Sequence, residues 1–295
     1  MKALVVGADG IIGSELVRAL CERGDDVYGT TRRSGTQEGR TIFIDLADPD
    51  FGGASLPPVD VALFCAAITS FAACRQDRDL ARRVNVIAPA ALARLLVTTG
   101  ARVVLLSTSA VFDWTTPHTR ADRAPCPTTV YGTLKAEAEG QFVALGHAAS
   151  VLRFSKVLTP QFKLCIRWID ALRRGETVTA FSDLRMSPIG LTDATRAILS
   201  VIDDNSGGIY QLSGSRDISY AETAVHIAGR LGVSANHVQS ARAIDAGIPP
   251  EEITYFSSLD DSRLWSITGR VAPDPYAVID TVFGSAIDAA TMKAS

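Results

Sequence analysis

Tyr131 and Lys135 stand four residues apart in Tyr131-Gly132-Thr133-Leu134-Lys135. On a helix that spacing puts both side chains on one face, one turn apart. A free phenol titrates near roughly 10 and is a poor acid at neutral pH. A nearby ammonium favours the phenolate and lowers that value, which brings proton exchange into the working range. Upstream, the apolar run Val103–Leu106 ends in Ser107-Thr108-Ser109-Ala110-Val111-Phe112. A strand ending there delivers hydroxyls to the carboxyl edge of a sheet, where ligands bind in α/β folds.

A second constellation opens the chain. Gly7-Ala8-Asp9-Gly10-Ile11-Ile12-Gly13 lies between an apolar run of strand length and a helical pattern. At such a junction the first glycine permits a tight turn, the second lets a pyrophosphate approach the backbone, and the third lets helix and strand pack closely. The candidate dinucleotide contacts are therefore Gly7, Gly10, Ile11, Ile12 and Gly13. The second strand ends Gly29-Thr30-Thr31-Arg32-Arg33, with no acid and two guanidinium groups. An acid there suits the ribose 2′-hydroxyl of NAD and an arginine the 2′-phosphate of NADP. Arg32 and Arg33 thus favour NADP(H), with NAD(H) left open and a solvated loop as the plainer alternative. Cys65-Ala66-Ala67 closes another strand with small residues, where a cofactor backbone must pass closely.

The elements that would position these groups alternate. Strands are expected at Ala3–Val6, Val27–Thr30, Thr41–Ile44, Val61–Cys65, Val103–Leu106 and Val151–Phe154, with helices at Ser14–Arg23, from about Leu80 to Thr99, and from near Tyr131. Strands apolar throughout are covered on both faces, and with helices between them they form a parallel, doubly wound α/β sheet. The dinucleotide domain is expected over residues 1–154, with later contributions near 188–213. Residues 155–295 form a smaller, discontinuous substrate region. There, helices are expected at Phe162–Arg174, from Asp193 to Ile202 and at Tyr220–Leu231, with strands at Ser187–Leu191 and Ile209–Leu212. Trp168 and Trp265 sit in helical patterns and read as core. Trp114 could pack or cover a substrate.

The 295 residues carry 29 basic and 32 acidic side chains, a net charge of −3, with 47% hydrophobic residues. That suits a large core and argues against a nucleic-acid partner, whose affinity needs clustered Lys and Arg. Five cysteines, odd in number and without a C-x-x-C pair, read as small buried hydrophobes in a reducing compartment. The four histidines have no metal-ligand spacing, so no metal is expected. No segment has the length of a membrane span and no leader pattern is seen, so a cytoplasmic protein is expected.

The G-x-x-G-x-x-G spacing resembles that of the extended short-chain dehydrogenase/reductases, which have a Rossmann-type fold. The stretch S-T-S-A-V-F-D, followed by P-C-P-T-T-V-Y-G-T-L-K-A-E-A-E, is similar to the dTDP-4-dehydrorhamnose reductase family. Leu152–Val157, Ser187-Pro188-Ile189, Gly208–Gly214 and Ser258–Leu264 continue the match. The resemblance implies a nucleotide-sugar keto reductase. Thr108 (with Ser107 as a rival) and Tyr131 would bind the carbonyl, Tyr131 would supply a proton, and Lys135 would hold the nicotinamide ribose. It further implies Asp45 and Leu46 at the adenine edge, Asn85 near the ribose, and Ser107 and Phe154 in the cofactor lining. Ser109, Lys156 and Arg185 fall on the substrate side, the last two able to meet a diphosphate or simply to be solvated. Ser109-Ala110 stands where these reductases commonly have Asp-Tyr, and Lys156 where they have Trp. A cofactor-retaining epimerase and a regulatory cofactor-binding subunit, like that of methionine adenosyltransferase, remain alternatives. A homodimer is a family-level expectation.

Overall fold

A computed structural model describes residues 1–33, 39–48, 50 and 55–288. The chain divides into two compact units, one of Met1–Phe112, Ala124–Arg153 and Thr195–Gln211, the other of Asp113–Arg123, Phe154–Ala194 and Leu212–Ser295.

The chain begins with β1 (Lys2–Val6), α1 (Ile11–Glu22), β2 (Asp26–Thr31), β3 (Thr41–Phe43) and β4 (Val61–Phe64). Three short helical pieces follow: α2 (Phe71–Gln76), α3 (Arg78–Arg82) and α4 (Ala88–Thr98). Then come β5 (Arg102–Thr108), α5 (Val130–Val143) and β6 (Ala149–Phe154). The seven-stranded sheet is completed by β11 (Gly208–Leu212) and has the order β11-β6-β5-β4-β1-β2-β3. The pairs β3–β2, β2–β1, β1–β4 and β4–β5 are parallel. Every residue of β4 and β6 is buried, the signature of strands covered on both faces. After β3 the chain returns to the other side of β1, so the strand order reverses between β1 and β4. The crevice beyond the carboxyl ends of these two strands is the place where open α/β sheets bind ligands.

Hydrophobic burial fixes this scaffold. Leu4, Val6, Phe64, Leu92, Leu96, Val103, Leu105 and Phe142 share one core. Phe64 and Phe142 meet edge-on at 5.1 Å between ring centroids, which pins α5 to the sheet. The helix expected from Leu80 to Thr99 proves to start at Phe71 and to be broken. Asp77 leaves helical geometry (φ −134°, ψ 86°) and accepts a cap bond from the Leu80 amide. A π turn then runs through Arg83–Ile87. Pro89, at the start of α4, has no amide to return to the carbonyl four residues earlier, which is the local cause of irregularity there.

The second unit contains β7 (Lys156–Leu158), α6 (Lys163–Arg173), β8 (Val178–Phe181), β9 (Arg185–Met186) and β10 (Pro188–Gly190). The helix α7 runs over Leu191–Asp204. Then follow β12 (Ile218–Ser219), α8 (Tyr220–Arg230), β13 (Val238–Ala241), α9 (Ser262–Thr268) and α10 (Pro275–Asp288). Three two-stranded sheets pair β10 with β7, β12 with β9 and β13 with β8. Cys165, Trp168, Ile169, Leu172, Ile227, Ile279 and Phe283 form its core. Ser219 and Glu222 close a capping box at the start of α8, which satisfies amides that the first turn leaves unpaired.

Two expected core residues are on the surface. Trp265 is 52% exposed, because on α9 it is the neighbouring Leu264 that turns inward. Cys21 is exposed, Cys65 and Cys126 are half-buried, and only Cys74 and Cys165 are buried; all five are free thiols. On α1 the inward stripe falls at Leu16 and Leu20, so Cys21, one residue further round, leaves it. Trp114 is buried with a left-handed backbone, φ 58°, a packed position. Among the described residues no helix is long and apolar enough to cross a membrane.

Candidate active site

The glycine loop is built by close approach. Gly7 has φ +91°, and a Cβ there would lie 2.7 Å from the Cβ of Ala66. A Cβ on Gly13 would lie 2.1 Å from the Gly7 carbonyl oxygen. Packing therefore demands the first and third glycines. Gly10 is different: its nearest neighbour would be the Gly7 oxygen at 3.4 Å, ordinary contact, and the residue is exposed. Its missing side chain leaves backbone open to the outside rather than relieving an internal clash. Among the described residues no side chain caps α1 at Gly10, so the first amides of the helix, beginning with Ile11 and Ile12, present a positive end. An open glycine beside an uncapped helix start fits a pyrophosphate. The loop is tied to β2, with the Gly7 amide donating to Thr30 Oγ1 at 2.9 Å and the Ala8 amide to the Thr30 carbonyl at 3.1 Å.

Arg32 and Arg33 follow directly on β2 and are exposed. Arg33 Nε lies 3.7 Å from Asp9 Oδ2. The Cys65 and Ala66 amides both donate to the Val6 carbonyl, at 2.9 and 3.0 Å, which seats the small residues after β4 against the loop. Burial pushes the Cys65 thiol up to about 12, against a smaller opposite influence of Lys135. It stays protonated at neutral pH.

Thr108 ends β5, and its Oγ1 accepts from the Ala110 amide at 3.1 Å, turning the chain into a single 3-10 turn that buries Ser109 and Ala110. Thr129 caps α5 by accepting from the Gly132 amide at 3.0 Å. One turn in, Gly132 is pressed on that same 3-10 turn, and a Cβ there would come within 2.0 Å of the Ala110 carbonyl oxygen. The tyrosine-bearing helix and the threonine-bearing turn thus meet backbone to backbone. That contact sets Thr108, at the end of β5, beside Tyr131, in the first turn of α5. Phe71 lies against the tyrosine ring at 5.8 Å between centroids.

Lys135 is 3% exposed and its Nζ donates to the Leu106 carbonyl at 2.7 Å. Burial lowers it to about 8, opposed by the carboxylate of Glu139 and then by Cys65. Tyr131 departs from the sequence expectation. Burial is the largest influence and pushes the phenol up; the Thr108 hydroxyl opposes it. Lys135 spends an N–H on the Leu106 carbonyl and is not among the influences on the phenol, which Cys74 also raises.

Several expected site residues have structural partners. Asn85 is 1% exposed: its Oδ1 accepts from the Ile68 amide at 2.8 Å and its Nδ2 donates to the Ile68 carbonyl at 2.9 Å. It clamps the loop after β4. Ser107 is buried and donates to Glu139 Oε1 at 2.5 Å. Asp45 Oδ1 accepts from the Ala47 amide at 2.9 Å, and Leu46 belongs to the hydrophobic core. Ala67 is half-buried after β4, and Phe154 is the buried last residue of β6. Lys156 and Arg185 belong to the second unit. Lys156 Nζ sits 4.7 Å from the Phe162 ring centroid, and burial lowers its affinity for the proton. Arg185 reaches Glu222 Oε2 and the Asp217 carbonyl, each at 3.4 Å.

Sequence reasoning missed Glu139. It is 3% exposed and pairs with Arg153, itself 1% exposed, at 2.7 Å. Arg153 also donates to Gln211 at 3.1 Å and lies 4.9 Å over the Phe112 ring. A signal was present: Tyr131, Lys135 and Glu139 repeat at i, i+4, i+8 on one helix face. A lone glutamate on a helix reads as solvated without the buried arginine from β6.

A family model described as the RmlD substrate binding domain matches residues 1–274. The chain belongs to this family. A probable low-salt glycan biosynthesis reductase of Haloferax volcanii is 27% identical over 96% of this chain and 98% of its own. A dTDP-4-dehydrorhamnose reductase of Mycobacterium tuberculosis is 25% identical over 91% of this chain and 87% of its own. Among solved structures, MoeE5 in complex with UDP-glucose and NAD superposes with a TM-score of 0.78 at 25% identity, covering 100% of both chains. For this RmlD-family chain the seven-stranded Rossmann-type sheet is the shared scaffold.

Proposed function

We propose that this RmlD-family protein is an NAD(P)-dependent oxidoreductase that reduces the keto group of a nucleotide-activated sugar, with NADP(H) preferred and NAD(H) accepted. The observation that carries the reading is the backbone contact of Gly132 with Ala110, which brings the Tyr131 helix onto the Thr108 turn, together with a buried Lys135 one turn further along that helix, in the unit that holds the glycine loop. Family membership and the reductases among its relatives support it. A purely regulatory cofactor-binding subunit has no need of all three groups.

A nicotinamide bound there would supply hydride to the carbonyl carbon. This chain does the rest. Thr108 and Tyr131 hold the carbonyl oxygen, and Tyr131 Oη delivers the proton that oxygen needs as it gains charge. Because burial keeps the phenol neutral, the proton is in place at working pH. The Lys135 ammonium has three N–H donors; one goes to Leu106, and the cation offsets negative charge as the phenol gives up its proton. Arg32 and Arg33 would hold the 2′-phosphate, and Gly10 with the start of α1 would hold the pyrophosphate. On the substrate side, Ser109, Lys156 and Arg185 stay candidates for the sugar or its diphosphate.

The test of the reaction is loss of NADPH absorbance with a panel of 4-keto sugar nucleotides. Turnover with at least one member is expected, and NADPH binding without turnover across the panel would favour the regulatory subunit. Replacing Arg32 and Arg33 together by Ala is expected to weaken NADPH binding by about tenfold or more and NADH binding little, since charge-assisted contacts to phosphate are worth about 1.5–3 kcal/mol. Equal weakening of both cofactors in a titration would remove the phosphate-clamp role.

A pH profile tests Lys135. With a value of about 8, the ammonium dominates below pH 8 and fades above it. Turnover is expected to decline on the alkaline side with an apparent midpoint near 8. A flat profile from pH 7 to 9.5 would show that its charge is not used.

A further inference from the structure

The second strand ends without an acid, yet the structure places one there from the glycine loop. Thr31 Oγ1 donates to Asp9 Oδ2 at 2.6 Å. The Arg33 amide donates back to the same Thr31 hydroxyl at 3.1 Å, and Arg33 Nε stands 3.7 Å from the same carboxylate oxygen. The side chains of Arg33 and Asp9 are 73% and 40% exposed, so both reach solvent. Asp9 and Thr31 also line a groove with Ala8, Ser14, Gly29 and Arg40, beside the loop whose open glycine fits a pyrophosphate.

We propose that Asp9, held by Thr31 and opposed by Arg33, is the residue that sets the balance between the two nicotinamide cofactors. The inference rests on the reading that this loop takes a dinucleotide. NAD presents a ribose 2′-hydroxyl, a donor that a carboxylate accepts; NADP presents a phosphate, which a carboxylate repels and a guanidinium binds. Here the two opposite preferences stand within one ion pair's reach of each other. Arg33 draws NADP toward the end of β2, and Asp9 both neutralises part of that pull and offers an acceptor to the unphosphorylated ribose. The second-strand arginines alone would make the site strict for NADP(H). With Asp9 beside them it tolerates NAD(H).

Asp9→Asn separates charge from shape, because the amide oxygen still accepts from Thr31. NADPH and NADH dissociation constants are measured by fluorescence titration on the full chain for the wild type, Asp9→Asn and Arg33→Gln, with thermal melts confirming that each variant folds. The expected result is a rise of about tenfold in the preference for NADPH over NADH in Asp9→Asn, mostly through tighter NADPH binding. The opposite shift is expected in Arg33→Gln. If the wild type binds NADPH and the preference is unchanged in Asp9→Asn, Asp9 has no part in selection, although the dinucleotide reading stands. Should Asp9→Asn fail to fold, an Arg33→Gln variant with an unshifted preference overturns the proposal by itself. If the wild type binds neither cofactor, the dinucleotide reading and this inference fall together.

Discussion

Tyr131→Phe is expected to lower kcat for keto-sugar reduction by about a thousandfold, within the range of 10²–10⁴ that a positioned proton donor contributes, and to leave the dissociation constant for NADPH within about twofold. The substitution removes one oxygen and keeps the ring, so the packing against Phe71 survives and the fold should not suffer. What disappears is the proton. Thr108 retains its hydroxyl, but that hydroxyl already accepts from the Ala110 amide, and a threonine is too weak an acid to replace a phenol. Single-turnover kinetics with bound NADPH isolate the chemical step from cofactor release. A variant that turns over at the wild-type rate would move the proton source elsewhere. If it also kept full biological activity, the regulatory-subunit reading would displace the enzyme.

The second large effect falls on stability. Glu139→Ala leaves the Arg153 guanidinium, 1% exposed, without its carboxylate. Gln211 and the Phe112 ring remain as neighbours, yet neither carries a compensating charge. Removing one partner of a buried pair costs about 3–5 kcal/mol, and a loss of roughly 10 °C in Tm is expected. The double variant Glu139→Leu with Arg153→Met removes both charges and should recover much of that loss, because the pair is costly to desolvate as well as attractive. Glu139 also opposes the downward pull of burial on Lys135. The alkaline limb of the activity profile in the double variant should therefore move to lower pH, a shift that a merely structural role would not produce. An unchanged melting temperature in Glu139→Ala would show that Arg153 is satisfied without it.

Much of this site could be read without coordinates, since backbone chemistry and spacing leave few alternatives. Three glycines between an apolar strand and a helix specify a tight turn onto a helix start, and Tyr131 with Lys135 at i, i+4 specify one helix face. The alternation of apolar runs and helical patterns specifies a parallel sheet. Local rules suffice wherever the cause lies within a turn or two of chain.

Where the cause is a neighbour distant in sequence, spacing falls silent. Asn85 and Ser107 carry the residue types of ligand contacts, but Ile68 and Glu139 take up their polar atoms. Asn85, in the π turn, is held by the Ile68 backbone 17 residues earlier, a pairing that a simple 3.6-residue period does not register. Trp265 and Cys21 lie one position off their buried stripes, beyond the resolution of a hydrophobic pattern. The alternation of strands and helices in the first unit, the position of the glycine loop and the tyrosine–lysine spacing were thus determined by the sequence alone, because each follows from residue type and short-range spacing. Which polar groups are spent on the scaffold, that burial raises the Tyr131 phenol, and that Asp9 stands against Arg33 were decided only in the tertiary structure. These depend on desolvation and on pairings across tens of residues, which exist only once the sheet has closed around them.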